Sequence, residues 1–395
     1  MKQEKNANEG ISPEASLAKS REEIREITKS ILDLANARQK LSLQVSRDKV
    51  LLGEAIANPE IERELLTESI EYSKSIGLDE EFARDLVLEL MRFSKIVQSA
   101  DIHKSQIKEF LDSTKIKSVS IVGAGRMGVW FARYFSDLSC SVFLFDNNKE
   151  KSKRRAEEIG VRYLESIERA PETDLVIVSV PISETPKTIR VLSKKSDQLS
   201  KALKIIEISS VKNEMGGSGL LNPDALSVKV ELFSVHPLFG GSAQPFESNS
   251  MIQSFPKDTT FLRGLFPQFS IVSLDWPEHD RLMGLFLTLP HVLALVFADT
   301  IKSTSSSWHE AMALGGPSYV RLLDLSKRVL SEDPEIYFEI QSLNPNSEAV
   351  LSETMKSLLK VEKLLKSRSE FVKFFEEKRK RIDQVEKLRV SEVPK

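Results

Sequence analysis

Three sets of residues in this chain have the types and spacing to do chemistry. Gly123, Gly125 and Gly128 form G-x-G-x-x-G after a β-branched run, Ser118-Val-Ser-Ile-Val, and a helical pattern follows from Val129 to Phe135. In such a loop the first glycine makes the tight turn, the second lets backbone approach a pyrophosphate, and the third lets helix and strand pack closely. Arg126 and Met127 stand where the free N–H groups of the helix N-terminus would face phosphates. A second run, Ser141-Val-Phe-Leu-Phe, ends on Asp146, placed to accept from both hydroxyls of an adenine ribose and to repel a 2′-phosphate. The cofactor reading is therefore NAD, with Lys149 and Lys151 as charges that soften the repulsion, and a purely structural turn as the alternative. The second set is Ser210 and His236, each at the end of a later apolar run, where ligands of parallel sheets collect. A merely structural histidine is the competing reading. The third is Arg38, which occupies an apolar helical seam, where a guanidinium is costly unless an anion or carboxylate meets it. It either snorkels or pairs within a bundle, or holds an anionic ligand between helices.

The elements that must position these groups follow from pattern. From Glu14 to Leu52 there is neither proline nor glycine, enough for a helix about 58 Å long. Ile24, Ile27, Ile31, Leu34, Arg38, Leu41 and Val45 keep the 3-4 spacing of helix-on-helix packing. Gly53 to Pro59 breaks that helix, and a second is expected from about Glu60 to Ser75. A third carries Phe82, Leu86, Leu90, Phe93 and Val97 on one stripe, beside a second stripe in which Ser94 and Gln98 continue an apolar face. Taken alone, those two are surface residues more often than ligands. Residues 104–117 read as a helical linker. Asp174-Leu-Val-Ile-Val-Ser-Val, Lys204-Ile-Ile-Glu-Ile and Glu231-Leu-Phe-Ser-Val then alternate with helical stretches, implying a mostly parallel, doubly wound sheet. Beyond Trp276 the pattern is helical. Asp280 and His291, eleven residues apart, would share a helix face, and Leu282 to Phe297 is apolar enough for a buried helix at a subunit interface. Residues 346–388 read as a charged helical pair.

Composition narrows the function classes. The chain has 395 residues, 41% of them hydrophobic, and a net charge of −2, so nothing advertises nucleic acid or membrane binding. No apolar run approaches the roughly 18 residues of a membrane span. A single cysteine, Cys140, excludes an intramolecular disulfide framework and offers no metal cluster; before an apolar strand it reads as a small buried residue. The polar start, residues 1–13, reads as disordered rather than as a signal peptide, and the expected compartment is the cytoplasm.

One very long helix followed by two shorter ones resembles the all-helical chorismate mutases over roughly Leu17 to Ile102. The resemblance implies that Arg21, in S-R-E-E-I, reaches the partner subunit's site, and that Arg38, in N-A-R-Q-K-L, grips a substrate carboxylate. It also implies that Lys49 and Gln98 bind the ether oxygen of chorismate, that Glu62 binds the ring hydroxyl, and that Ser94 pairs with Gln98 on the third helix. The chain departs from the family at the second helix. Ungapped, Asn58 and Ile61 stand where the family has an acid and an arginine, and a two-residue shift would recruit Arg63 and Glu64 instead. The rearrangement needs no nucleophile, only cations that fold a dianion into a chair and donors that meet charge on the breaking ether bond.

Further along, S-S-V-K at 209–212, V-H-P-L-F-G-G at 235–241, E-H-D at 278–280 with L-P-H eleven on, and Arg328 resemble prephenate dehydrogenases from about Ser118 to Ser342. That resemblance implies that His236 accepts the ring-hydroxyl proton, Ser210 orients it, Asp280 and His291 shape the pocket, and Arg328 binds a carboxylate of prephenate. The order of the two parts is similar to that of the bifunctional T-protein family. The expected architecture is thus multidomain: an all-α mutase domain (14–103), a linker (104–117), an α/β Rossmann-like NAD-binding domain (118–275) and an all-α dimerisation domain (276–395). A homodimer acting on chorismate and prephenate is expected. Arogenate as substrate, an unrelated hydroxyacid or imine dehydrogenase, and a helical third that only dimerises or regulates stand as alternatives.

Overall fold

The computed structural model describes residues 12–52, 54, 58–222, 225–304 and 314–391. The chain divides into two compact units. The first holds the described residues up to Ile116 together with Ser242–Asn249 and Thr260–Ser270. Helix α1 spans Pro13–Leu52, α2 Pro59–Ser75 and α3 Glu80–Ser113. Asn58 caps α2 by accepting from the Glu60 and Ile61 amides at 3.1 and 3.3 Å, and Asp79 caps α3 by accepting from Phe82 at 2.8 Å. The expected break after α1 falls on Gly53 and residues 55–57, outside the described residues.

Helix α3 runs unbroken through the stretch that reads as a linker. Ile107 and Leu111, four residues apart, are buried on one face of it. Its end packs on a short helix, α8 (Thr260–Leu265), so tightly that a Cβ on Gly264 would lie 2.2 Å from the Phe110 ring. Phe110 and Phe261 are 5.8 Å apart at their centroids. Part of this helical unit therefore comes from chain that lies far downstream in sequence, which the contiguous boundaries expected from pattern do not separate.

The second unit holds Lys117–Gly241, Ser250–Thr259 and the chain from Ile271 onward. Strand β1 (Ser118–Val122) leads through the glycine loop into α4 (Arg126–Asp137), then β2 (Ser141–Phe145), α5 (Lys149–Ile159), β3 (Arg162–Tyr163), β4 (Leu175–Val178), α6 (Thr185–Ser196), β5 (Leu203–Glu207) and α7 (Asn213–Gly217). Strands β6 (Val230–Pro237), β7 (Ser250–Phe255) and β8 (Ser270–Ser273) complete an eight-stranded sheet in the order β3-β2-β1-β4-β5-β6-β7-β8. The strands from β3 to β6 are parallel and β7 runs antiparallel to β6. The central strands are buried on both faces, as their continuous Val/Ile/Leu runs require.

Helix α9 (Trp276–Met283) passes through a π turn at Gly284–Thr288 into α10 (Leu289–Thr304), and α11 (Pro317–Leu330), α12 (Pro334–Leu343), α13 (Ser347–Leu364) and α14 (Arg368–Ser391) follow. The expected face shared by Asp280 and His291 does not form, because a π turn adds a residue and shifts the phase of everything after it. Asp280 is buried, whereas His291 is half-buried beside Tyr337. Nor is the apolar run buried within one chain: Leu285, Phe286, Leu293, Leu295 and Val296 are all exposed. By length and hydropathy alone Trp276–Ile301 could cross a membrane, so the expectation that no stretch approaches that limit is corrected. Composition hid it because the polar groups cluster in its first turns, leaving an apolar remainder. Cys140 is half-buried rather than buried.

If residues 104–113 are core, Ile107→Ala should cost about 2–5 kcal/mol. A thermal or urea melt of the full chain checks this, and a silent substitution would mark the stretch as a linker after all.

Candidate active sites

In the helical unit, α1 and α3 bring together Arg38, Ser42, Ser46, Ser94 and Gln98. Arg38 donates at 2.6 Å to the Leu90 carbonyl and also to the Ser94 hydroxyl, which in turn donates to Leu90 at 2.9 Å. Burial lowers the Arg38 pKa from its ordinary value. Ser46 donates to the Gln98 carbonyl at 3.2 Å, and the buried side-chain Oε1 of Gln98 has no partner among the described residues. Ser94 and Gln98 are buried, whereas Phe82, Leu86 and Phe93 on the neighbouring stripe are exposed, the reverse of what the apolar pattern implies for one chain. A guanidinium, hydroxyls and an amide on a seam between helices can grip a small polyanion.

Lys49 is half-buried on the same helix. Glu62 is half-buried and takes Lys95 of α3 at 3.1 Å, while Arg63 and Glu64 are exposed. The ungapped register thus faces α3, with Asn58 spent on a helix cap. Arg21 is exposed, seventeen residues before Arg38 on one helix, so roughly 26 Å away along its axis. A site that uses both must take Arg21 from another copy.

In the second unit the glycine loop is built as its spacing requires. Gly123 has φ +109°, and a Cβ there would lie 2.1 Å from the Ser179 carbonyl oxygen. A Cβ on Gly128 would lie 1.8 Å from the Gly123 oxygen, whereas one on Gly125 would meet nothing within 4 Å. The loop therefore has an open face at Gly125, at the N-terminus of α4, where a pyrophosphate fits. Asp146 accepts from the Ala124 amide at 2.8 Å and the Asn148 amide at 2.9 Å, with Lys151 at 3.2 Å. The loop and Asp146 are thus one assembly, and the residues present fit a dinucleotide. Arg126 departs from expectation. It donates to the Ser331 carbonyl at 2.7 Å and pairs with Glu332 at 2.7 Å, clasping the nucleotide helix to the turn between α11 and α12. Glu339 makes a second clasp, accepting from the Ile182 amide at 2.7 Å and from the Ser183 hydroxyl.

His236 is the penultimate residue of β6, one residue beyond a register irregularity at Ser234/Val235, a device that re-aims a strand's side chains. The loop after it folds onto α4: a Cβ on Gly241 would lie 2.7 Å from the Arg126 carbonyl oxygen, and Phe239 lies 5.0 Å from Trp130. Nδ1 of His236 meets Nε2 of His279 at 3.0 Å, and Nδ1 of His279 meets Asp280 at 2.7 Å. Asp280 also accepts from the Lys212 amide at 2.8 and 3.1 Å. Lys212 itself is wholly buried, its ammonium 2.7 Å from Glu207 and 2.7 Å from the Val235 carbonyl. Burial first, then the neighbouring His279 and Lys212, holds His236 well below its ordinary pKa. It is therefore a neutral base.

Sequence reasoning missed His279, Lys212 and Glu207. All three lie inside or beside motifs it did read, and Glu207 carried the further signal of a charge within the apolar run Ile205-Ile-Glu-Ile. Asp280 belongs to this buried line. Ser210 is half-buried and makes no side-chain hydrogen bond among the described residues; its neighbour Ser209 binds Glu207 instead. His291 accepts from Gln341 at 3.1 Å, and burial holds its pKa at about 4, so its other nitrogen carries a proton. Arg328 is exposed on α11, three residues before the turn that Arg126 grips.

Replacing Gly125 by Ala should leave stability unchanged and weaken dinucleotide binding. Gly128→Ala should destabilise the fold by on the order of 1–3 kcal/mol. Melting curves with a cofactor titration separate the two, and a destabilised Gly125→Ala would contradict the open face.

Three family models match successive stretches of the chain. Residues 20–99 match chorismate mutase type II, 132–257 the nucleotide-binding domain of prephenate dehydrogenase, and 276–377 its dimerization domain. A probable arogenate/prephenate dehydrogenase of Methanocaldococcus jannaschii is 26% identical over 274 residues, 66% of this chain and 60% of that protein. The T-protein of Haemophilus influenzae is 24% identical over 364 residues, 90% of this chain and 86% of its own length. Among solved structures, a prephenate dehydrogenase from A. aeolicus, in complex with hydroxyphenyl propionate and NAD+, matches 68% of this chain and 98% of its own at a TM-score of 0.55 and 20% identity, a likeness of fold. With its mutase domain ahead of both dehydrogenase domains, in the order of the T-proteins, the chain belongs to the prephenate dehydrogenases that carry a fused type II chorismate mutase.

Proposed function

We propose that the chain catalyses two successive reactions, rearrangement of chorismate to prephenate in the helical unit and NAD-dependent oxidative decarboxylation of prephenate to 4-hydroxyphenylpyruvate in the second. The observation that carries the second is a neutral, buried His236 at a strand end beside a built dinucleotide loop. Gly125, the backbone at Arg126 and Met127, and Asp146 would hold NAD, which supplies a hydride acceptor. Asp146 favours NAD over NADP, although Lys151 lies against it.

In the mutase site Arg38 binds a carboxylate, Lys49 and Gln98 meet charge on the ether oxygen, and Ser94 holds the arginine in line. Arg21 comes from the partner. The exposed apolar residues of α1 and α10 give a homodimer its contact surfaces. A cytoplasmic setting suits a chain with one free cysteine.

In the dehydrogenase site His236 accepts the proton of the ring hydroxyl as hydride leaves the same carbon. Decarboxylation then sends an electron pair through the ring to that oxygen, and His236 returns the proton to it. Ser210 hydrogen-bonds the hydroxyl, His291 donates to the substrate, and Arg328 binds a carboxylate. No net proton is consumed, so the histidine must only be neutral at the start.

Arg38→Ala should cut mutase activity about a hundredfold or more and spare oxidation of added prephenate. His236→Asn should do the reverse, lowering dehydrogenation by about 10²–10⁴-fold. Assays of both activities on both folded variants check this. Loss of both activities in either one would overturn the two-site reading.

The pH dependence has a definite sign. A histidine held below the ordinary 6.5 stays neutral as pH falls through that value. Dehydrogenase kcat/KM should hold level through pH 6.5 and drop only below it. Stability should also fall below pH 6.5, since there the unfolded chain binds protons that folded His236, His279 and His291 do not. A pH profile and melts across that range test both.

A further inference from the structure

The line from His236 to Asp280 has a fixed polarity. As a carboxylate, Asp280 only accepts, and it is held in place by the Lys212 amide at 2.8 and 3.1 Å. His279 must therefore donate to it from Nδ1, across 2.7 Å. A neutral imidazole with its proton on Nδ1 has its lone pair on Nε2. That lone pair faces Nδ1 of His236 at 3.0 Å, so His236 must donate in its turn. The remaining nitrogen of His236, Nε2, is left with the lone pair.

The chain of constraint matters because histidine by itself prefers the opposite form, with its proton on Nε2. In that form the nitrogen free to meet a substrate hydroxyl would be a donor, and no base would be present. We propose that His279 is a positioning residue which, oriented by Asp280, selects the Nδ1–H tautomer of His236 and so makes its Nε2 the base. The inference rests on the reading of His236 as proton acceptor.

The charged groups around the line agree with a neutral His279. Glu207 and Asp280 stand against the Lys212 ammonium, and burial is the largest influence on His279, lowering its pKa. The rings of His236 and His279 meet edge to face, 5.1 Å apart and 72° inclined, which holds the two nitrogens in register. His279 is wholly buried and reaches no solvent of its own. Its influence on the reaction must therefore pass through His236.

The test uses the full-length chain and two substitutions at one position. A glutamine amide carries an acceptor and a donor that can stand in for the two ring nitrogens, whereas leucine has neither. His279→Leu should lower dehydrogenase kcat about a hundredfold with KM for prephenate changed less than threefold, and mutase activity intact. His279→Gln should recover at least tenfold of that loss. Equal activity in wild type and Leu, or equal impairment in Leu and Gln with KM rising in both, overturns the proposal.

A spectroscopic measurement on the unsubstituted protein keeps the proposal testable if His279→Leu does not fold. The chain has five histidines, so ¹⁵N-histidine labelling gives few resonances, and His236→Asn identifies the one of interest. A protonated Nδ1 and a bare Nε2 on His236 at neutral pH is the expected result, and the reverse tautomer overturns it. The underlying reading fails separately, if His236→Asn still oxidises prephenate at the wild-type rate.

Discussion

Lys212 carries its ammonium where no solvent reaches, and Glu207 is equally enclosed. Taking two charges out of water costs several kcal/mol each, offset only when the pair is close and its remaining donors and acceptors are satisfied. Here they are. The ammonium donates to Glu207 and to the Val235 carbonyl, while Glu207 accepts from the Ser209 amide and from the hydroxyls of Ser209 and Ser234. Those partners are the last residues of β5, the turn after it, and the end of β6. Meeting the demands of one buried charge therefore locks together the carboxyl ends of two adjacent strands, and His236 is the next residue along.

The lock extends into the helical part of the same unit. The backbone amide of Lys212 holds Asp280 of α9, and the Asp280 carbonyl accepts from Asn344 beyond α12 at 2.8 Å. Trp276 packs so closely on α7 that a Cβ on Gly216 would lie 2.5 Å from its ring. On the nucleotide side Arg126 and Glu339 make the two clasps already described. The His236 imidazole thus sits where a sheet end and a helix are held by hydrogen bonds to buried groups and the nucleotide helix is held by Arg126. Such a site is positioned by its scaffold rather than by loops, which suits chemistry that depends on one nitrogen's lone pair.

What could be read from sequence divides along the same lines. The glycine loop, Asp146 and the strand-ending His236 were legible because each is a local pattern whose structural context is also local. The α/β alternation gave the parallel sheet for the same reason. His279 and Lys212 stood in view, inside E-H-D and S-S-V-K, yet their roles depend on partners 43 and 68 residues away, and no periodicity encodes those pairings. The stretch 104–113 resembled a linker because Lys104, Lys108 and Glu109 dominate its composition, while its packing rests on Ile107, Phe110 and Leu111. The π turn had no signature, and it undid the helix face drawn through Asp280 and His291.

The apolar surfaces left over carry the last step. In one chain, Ile24, Ile27, Ile31, Leu34 and Leu41 of α1 are exposed along more than four turns, and so is the stripe Phe82, Leu86, Phe93 on α3. A monomer rarely presents such continuous patches to water. Their position bears on chemistry, since Arg38 lies on the covered face of α1 while Arg21 lies far along the exposed length. Covering the seam with a second copy would bury the leucines and isoleucines, and a site that uses Arg21 together with Arg38 would take the former from that copy. The α10 face poses a parallel demand in the other unit, with Leu285, Phe286, Leu293, Leu295 and Val296 open and the buried His279–Asp280 line rooted in the helix just before it. Association through either face would therefore stiffen an element that also holds residues of a candidate site.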